Sequence, residues 1–311
     1  MRRVMPPQRL RIHRGACVPS CELGPGPDGW TLGPVPLPDG AWSAPWPRVA
    51  LSVASPYPTE GLSVAAGGAM VLGRLPGVVQ AIVLPDLSQA FDRRPPGLVE
   101  ALGAGRANAA VLRADDGWRA VVLPSLGDRL RDLGPGPVAI SASGRLVAVF
   151  DVDRTVVVPL AGGAPVAEYP GAVDALAFAG ERLWLAAGGV VGPADAHDHG
   201  WGAHVRRLAA AAAADRVLVI HADHQISRIG SDEAQCTWTP VLDDVRDISL
   251  SDDGEWATLA TPDAVAVVRA SDGAVAVYIR GASSIALGAD RRIVVGGAWG
   301  MALIVPVEET A

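Results

Sequence analysis

Residues 205–238 read VRRLAAAAAADRVLVIHADHQISRIGSDEAQCTW, and residues 245–278 read VRDISLSDDGEWATLATPDAVAVVRASDGAVAVY. The two stretches lie over one another without a gap at an offset of 40. Each alternates short apolar runs of strand length with polar turns such as Ser251-Asp252-Asp253-Gly254 and Ser271-Asp272-Gly273. In such turns Asp bonds its own backbone and Gly accepts a positive φ. The grammar is strand, turn, strand, turn, strand, turn, strand.

The same grammar extends outward, to GPVAISASGRLVAVFDVDRTVVVPL from Gly136 and SIALGADRRIVVGGAWGMALIVPV from Ser284. A large apolar residue near the end of a fourth strand precedes the next first-strand apolar position by seven: Phe91 to Leu98, Leu133 to Ile140, Tyr169 to Leu176, Trp201 to Leu208 and Tyr278 to Ile285. Seven residues suit a strand end, a crossing loop and a strand start. Between Trp238 and Ile248 the spacing is ten, which predicts a longer loop. Repeats then begin near Gly61, Leu98, Val138, Val173, Val205, Val245 and Ala282. The last of these runs out of chain after a third strand ending at Val307, and Tyr57 stands seven residues before Val64. Its fourth strand is therefore expected from Arg48–Ser55, which would remove the open edge. The expected architecture is all-β: a single β-propeller of seven four-stranded blades over residues 48–311, the last blade closed by an N-terminal strand. Residues 1–47 are expected to form an irregular Pro/Gly-rich segment packed on the propeller. An eighth, degenerate blade in residues 15–47 is the alternative count.

In several repeats an Asp ends the turn between second and third strands and an alternating strand follows: Asp153-RTVVV, Asp223-HQISR, Asp263-AVAVV and Asp116-GWRAVV. With SDDGEWATLAT before it, this resembles the WD40 repeat core over roughly residues 61–307. The chain departs from that family where Trp-Asp would stand, holding Pro159-Leu160, Ile229-Gly230 and Arg269-Ala270, and the paired Gly-His is missing. The resemblance therefore implies the fold and says little of function. Apolar packing between sheets is expected in place of the family's hydrogen-bonded network.

Composition narrows the function classes. All 26 basic residues are arginine, a bias that, with the alanine content, we read as the mark of a high-GC genome. A net charge of −7 disfavours general nucleic-acid binding. Three cysteines, Cys17, Cys21 and Cys236, do not make a disulfide framework. No stretch approaches a membrane span and no apolar leader follows the N-terminal arginines, so a cytoplasmic location is expected. The tryptophans Trp30, Trp42 and Trp46 in residues 24–47 are expected to pin that stretch to the propeller.

The histidines cluster as His197, His199 and His204 in HDHGWGAH, then His221 and His224 in HADH. His204, Asp223 and His224 fall on two loop types that share one face of a propeller, and imidazoles with a carboxylate could ligate zinc or copper. No compact ligand spacing matches a known site, so no metal and no cofactor are expected. No nucleophile elbow, P-loop, His-Glu-x-x-His or dinucleotide fingerprint occurs in a suitable context. No general acid and base stand out as a pair, and the first strands (AISAS, ALAFA, LAAAA, ISLS, IALG) are apolar or small.

Residues 232–263 carry nine acids against Arg246 alone. The expected partner-binding face comprises His204, Asp223, His224, Asp243, Asp244 and Asp263, with the longer Trp238–Ile248 connection projecting from it. Its acids would steer a protein partner with a basic surface. The expected function is a non-enzymatic protein–protein interaction scaffold, a subunit or adaptor of a bacterial multi-protein system that binds neither nucleic acid nor membrane. The alternative is a propeller enzyme, a metal-dependent hydrolase, lactonase or lyase, with its site at the central channel.

Overall fold

A computed structural model describes residues 20–26, 29–47, 49–55, 58–65, 69–75, 78–84, 88–93, 98–103, 109–114, 117–122, 129–202, 204–230 and 233–306. Seven four-stranded antiparallel sheets succeed one another around a channel. Blade 1 is Gly61–Ala65, Met70–Leu75, Val78–Val83 and Ser88–Arg93; blade 2 is Leu98–Gly103, Ala109–Ala114, Gly117–Val122 and Arg129–Gly134. Blade 3 is Val138–Ile140, Leu146–Asp151, Arg154–Pro159 and Ala167–Pro170; blade 4 is Ala175–Ala179, Arg182–Ala187, Val190–Pro193 and Trp201–Gly202. Blade 5 is Val205–Ala210, Arg216–His221, Ile226–Gly230 and Glu233–Trp238; blade 6 is Asp247–Leu250, Trp256–Ala260, Ala264–Arg269 and Val275–Arg280. Blade 7 is Ser284–Leu287, Ile293–Gly297 and Gly300–Pro306, completed by Val49–Ser55. That last strand pairs antiparallel with Gly300–Pro306, from Val49 opposite Pro306 to Ser55 opposite Met301, as the seven-residue spacing predicts.

The inner strands are continuous apolar runs because each sheet is covered on both faces by its neighbours. Blade 6 shows the division of labour. Val265 and Val267 pack with Ile285, Ile293 and Val295 of blade 7, whereas the alternating Ala264, Ala266 and Val268 pack with Leu218, Ile220 and Ile226 of blade 5. Blade 3 repeats it: Val147 and Val158 meet blade 2, while Ala148 and Val157 meet Leu183 and Leu185 of blade 4. The core is thus a ring of inter-blade interfaces, each made from the period of two within a strand.

We call the face carrying the fourth-to-first and second-to-third connections the upper face, and the other the lower. On the lower face the first-to-second turns are chained by backbone hydrogen bonds. Ala142 N–H donates to Gly180 O (3.0 Å), Gly180 N–H to Ala211 O (3.0 Å) and Ala213 N–H to Asp252 O (2.7 Å). Blades 3 to 6 are therefore tied edge to edge.

The stretch before residue 48, expected to be irregular, contains a β-hairpin. Ser20–Gly26 pairs antiparallel with Gly29–Pro34 and parallel with Val275–Arg280, the outer strand of blade 6, making a six-stranded sheet. The physical reason lies in the strand it covers. VAVYIR is buried at every position but the last, while the outer strand of blade 3, AEYP, alternates between half-buried and exposed. An apolar outer edge needs a cover. Val35, Leu37 and Ala41 continue that cover on the blade 5 side, and Ala44 and Trp46 on the blade 7 side. Gly281, at φ +86°, permits the close approach: a Cβ there would lie 2.6 Å from the Leu23 carbonyl oxygen.

Of the three tryptophans in this stretch, Trp46 packs edge-on against Trp256 with ring centroids 4.7 Å apart, under the Arg291 guanidinium. Trp42 is 52% exposed. The side chain of Trp30 and the whole of Cys17 lie outside the described residues; Cys21 is buried and Cys236 half-buried.

Candidate functional site: the upper mouth of the channel

The connection entering blade 5 and the second-to-third turn of that blade are joined: the His204 carbonyl accepts a hydrogen bond from Ala222 N–H at 2.9 Å. In the turn, Asp223 Oδ1 accepts from Gln225 N–H (3.1 Å), which spends this carboxylate on its own loop. His224, held at φ +68°, meets Arg206 Nη1 through its Nδ1 at 3.1 Å. A guanidinium only donates, so Nδ1 accepts and the ring carries its proton on Nε2.

Arg206 also reaches Asp244, with Nη2 3.9 Å from Oδ1. The other oxygen, Oδ2, accepts from Arg246 Nε (2.9 Å) and Nη2 (2.8 Å). The Arg246 guanidinium foremost, then Arg206, hold the Asp244 carboxyl below the usual carboxylate range. One blade further on, Asp263 Oδ1 accepts from the Thr261 hydroxyl at 3.0 Å. His204, Asp223, His224, Asp243, Asp244 and Asp263 are all exposed on upper connections. His224 and Asp244 are drawn together by Arg206, while Asp263 stands in the neighbouring turn.

The acidic run is divided by the strand that crosses the blade. Asp243, Asp244 and Asp263 stand on the upper face, but Asp252, Asp253 and Glu255 fall on the lower, where Glu255 pairs with Arg216 of blade 5. Asp232 lies outside the described residues. The upper face is accordingly mixed in charge. Arg206 and Arg207 enter it from blade 5, and a signal for them exists in the repeat, since Val205-Arg206 aligns with Val245-Arg246 at the offset of 40.

The histidines part company. His221 turns inward, Nε2 2.7 Å from the hydroxyl of the fully buried Ser227, which in turn meets Thr237 Oγ1 at 2.7 Å and Gln235 Nε2 at 3.0 Å. Burial pushes the His221 imidazole below its ordinary pKa, against a smaller opposing pull from Asp223. The side chains of His197 and His199 lie outside the described residues. Among the described residues no three His, Cys, Asp or Glu side chains stand close enough to hold a metal ion. Blade 5 thus carries a short polar network across its second, third and fourth strands.

Two connected spaces open at the mouth. A depression of about 380 Å³ lies among blades 1, 5, 6 and 7, bordered by Glu60, Arg74, Arg207, Arg246, Asp247 and Ser284. Beneath it a channel of about 260 Å³ runs between first strands, with a wall formed by residues such as Val64, Ile140, Phe178, Ala209, Ile248 and Leu287. Among the described residues its acids are Asp247 above and Asp252 below. Sequence reasoning singled out none of the arginines at the rim as binding residues. No protein-family model matches this chain, and none of the curated proteins matches it.

Proposed function

We propose that the chain is a non-enzymatic scaffold whose upper face docks a protein partner, as a subunit or adaptor of a cytoplasmic bacterial assembly. The observation that carries this reading is the convergence of His224, Arg206, Asp244 and Arg246 from three separate connections onto one exposed patch. A rigid ring fixes the positions of such loops while leaving their side chains free for recognition. The described part of the channel wall is mainly apolar or small, its two acids both coming from blade 6, where a propeller enzyme would need inward acids, bases or ligands from several blades. No helix among the described residues is long and apolar enough to cross a membrane. The mixed patch suits a partner of complementary mixed charge, its basic groups meeting Asp243 and Asp263 and its acids meeting the arginines.

The test places a photo-crosslinking residue at Asp243 on the upper face and, separately, at Arg145 on the lower. In cells of the native host, a discrete protein adduct from position 243 and not from 145 supports the reading. Adducts from 145 alone would move the docking face to the other side.

A further inference from the structure

The mouth depression and the channel beneath it share Leu62, Ser63, Asp247 and Ala260 in their walls, so they adjoin as one space with a polar top, a largely apolar middle and Asp252 at the lower end. Three guanidiniums, Arg74, Arg207 and Arg246, border the top against two carboxylates, Glu60 and Asp247. Arg74 lies 3.6 Å from Glu60 and Arg246 is engaged by Asp244, whereas Arg207 is exposed and makes no ion pair among the described residues. Ser284 of blade 7 also lines the depression; it is 5% exposed, and its hydroxyl, turned toward Gly296, has no hydrogen-bond partner among the described residues. A guanidinium with no ion pair among the described residues, on the wall of a depression bordered by three guanidiniums against two carboxylates, is the complement of an oxygen anion. The wall below offers Leu62, Val64, Ile248 and Leu287, whose contact with water is unfavourable and is relieved by an apolar group.

We infer that this space binds a small carboxylate carrying an apolar tail, with the carboxylate at Arg207 and the tail directed down the channel. The channel volume of about 260 Å³ corresponds to roughly nine waters at about 30 Å³ each, which sets the tail at a few carbons to one side chain. Two sources supply that chemistry: a free short-chain acid, or the C-terminus of a polypeptide ending in an apolar residue. The site does not depend on the docking of a protein partner, because a free acid would occupy it with no partner present.

The experiment is calorimetric titration of the full chain with butanoate, hexanoate and octanoate, with 1-octanol as the uncharged control. One-to-one binding is expected, tightening by up to about fourfold per methylene (~0.8 kcal/mol) until the channel is full. Arg207→Gln, a surface change with no ion pair to break, should weaken octanoate tenfold or more and leave octanol unaffected. Acetylated tripeptides ending in leucine, with a free or an amidated C-terminus, separate the sources. Tighter binding of the free-terminus peptide than of octanoate assigns the site to a chain end, and the reverse order assigns it to a free acid. Absence of octanoate binding, equal affinity for octanol, or an Arg207→Gln protein that binds octanoate as the wild type does would each overturn the assignment. None of these results bears on cross-linking at position 243, so the site and the docking face fail separately.

Discussion

The indole N–H of Trp184 in blade 4 donates a 2.8 Å hydrogen bond to Asp215 Oδ1, which hangs from the first-to-second turn of blade 5. Arg182 takes the other oxygen of the same carboxylate at 2.8 Å and reaches Asp195 at 3.0 Å with a second nitrogen. Trp184 is fully buried and stacks on Trp201 at 5.8 Å, so its N–H has no recourse to water. Blades 4 and 5 are latched by a polar contact at the rim of an apolar interface.

Changing Asp215 to alanine should therefore cost about 1–3 kcal/mol, chiefly from the stranded indole N–H. The Arg182–Asp215 pair, about a third exposed on both sides, adds little in water. Asp215→Asn keeps an acceptor for the indole and should lose no more than about 1 kcal/mol. Urea unfolding of the two variants against wild type checks the order; an asparagine variant as unstable as the alanine one would assign the latch to charge.

His221 predicts a dependence on pH. Its folded pKa lies below the ordinary imidazole value because burial disfavours the charged form. The unfolded chain, near pKa 6.5, then binds more protons than the folded one as the pH falls through that value. Stability should be fully present above about pH 6.5 and decline below it until the folded ring also protonates. His221→Gln should flatten the curve between pH 7 and 5, whatever its absolute stability. Thermal melts across that interval compare the slopes.

The upper face offers a charge-reversal test. Asp244 holds Arg246 and lies beside Arg206, while Asp243 stands exposed next to it. Asp244→Arg would place three guanidiniums together, so its effect on association should exceed that of Asp243→Arg. The double variant should slow association with the cross-linked partner by roughly tenfold or more and alter its salt dependence. Folding should be nearly unchanged, as for other exposed positions. Stopped-flow association at two ionic strengths reads both effects; wild-type rates would place the contact elsewhere.

The covering hairpin is sensitive to one glycine. Gly281→Ala puts a Cβ against the Leu23 carbonyl at a backbone angle that alanine rarely adopts. Amide exchange in residues 20–26 should accelerate by about tenfold or more, corresponding to ~1.4 kcal/mol of local opening, with the seven blades still protected. The bared edge Val275–Ile279 should also promote self-association on concentration, which light scattering would detect.

The strand grammar of this chain was legible without coordinates because it is local. Period-two alternation, Asp- and Gly-bearing turns and a repeated seven-residue step each involve a handful of neighbouring residues, and together they specified seven blades and a closing strand in Arg48–Ser55, which the structure forms from Val49 to Ser55. The outer strand VAVYIR was also open to reading, since five buried positions in an edge strand call for a cover; its pairing with Ser20–Gly26 was not, because composition does not say which distant segment supplies that cover. The charges of the upper face depended wholly on tertiary structure. Asp252, Asp253 and Glu255 are close in sequence to Asp243 and Asp244, yet one crossing strand carries them to the other side of the ring. Arg206 lies some forty positions away and arrives beside Asp244 because neighbouring blades present equivalent strand ends together. Hydrogen-bonded turns form from adjacent residues, but an electrostatic patch is assembled from whatever the ring brings side by side.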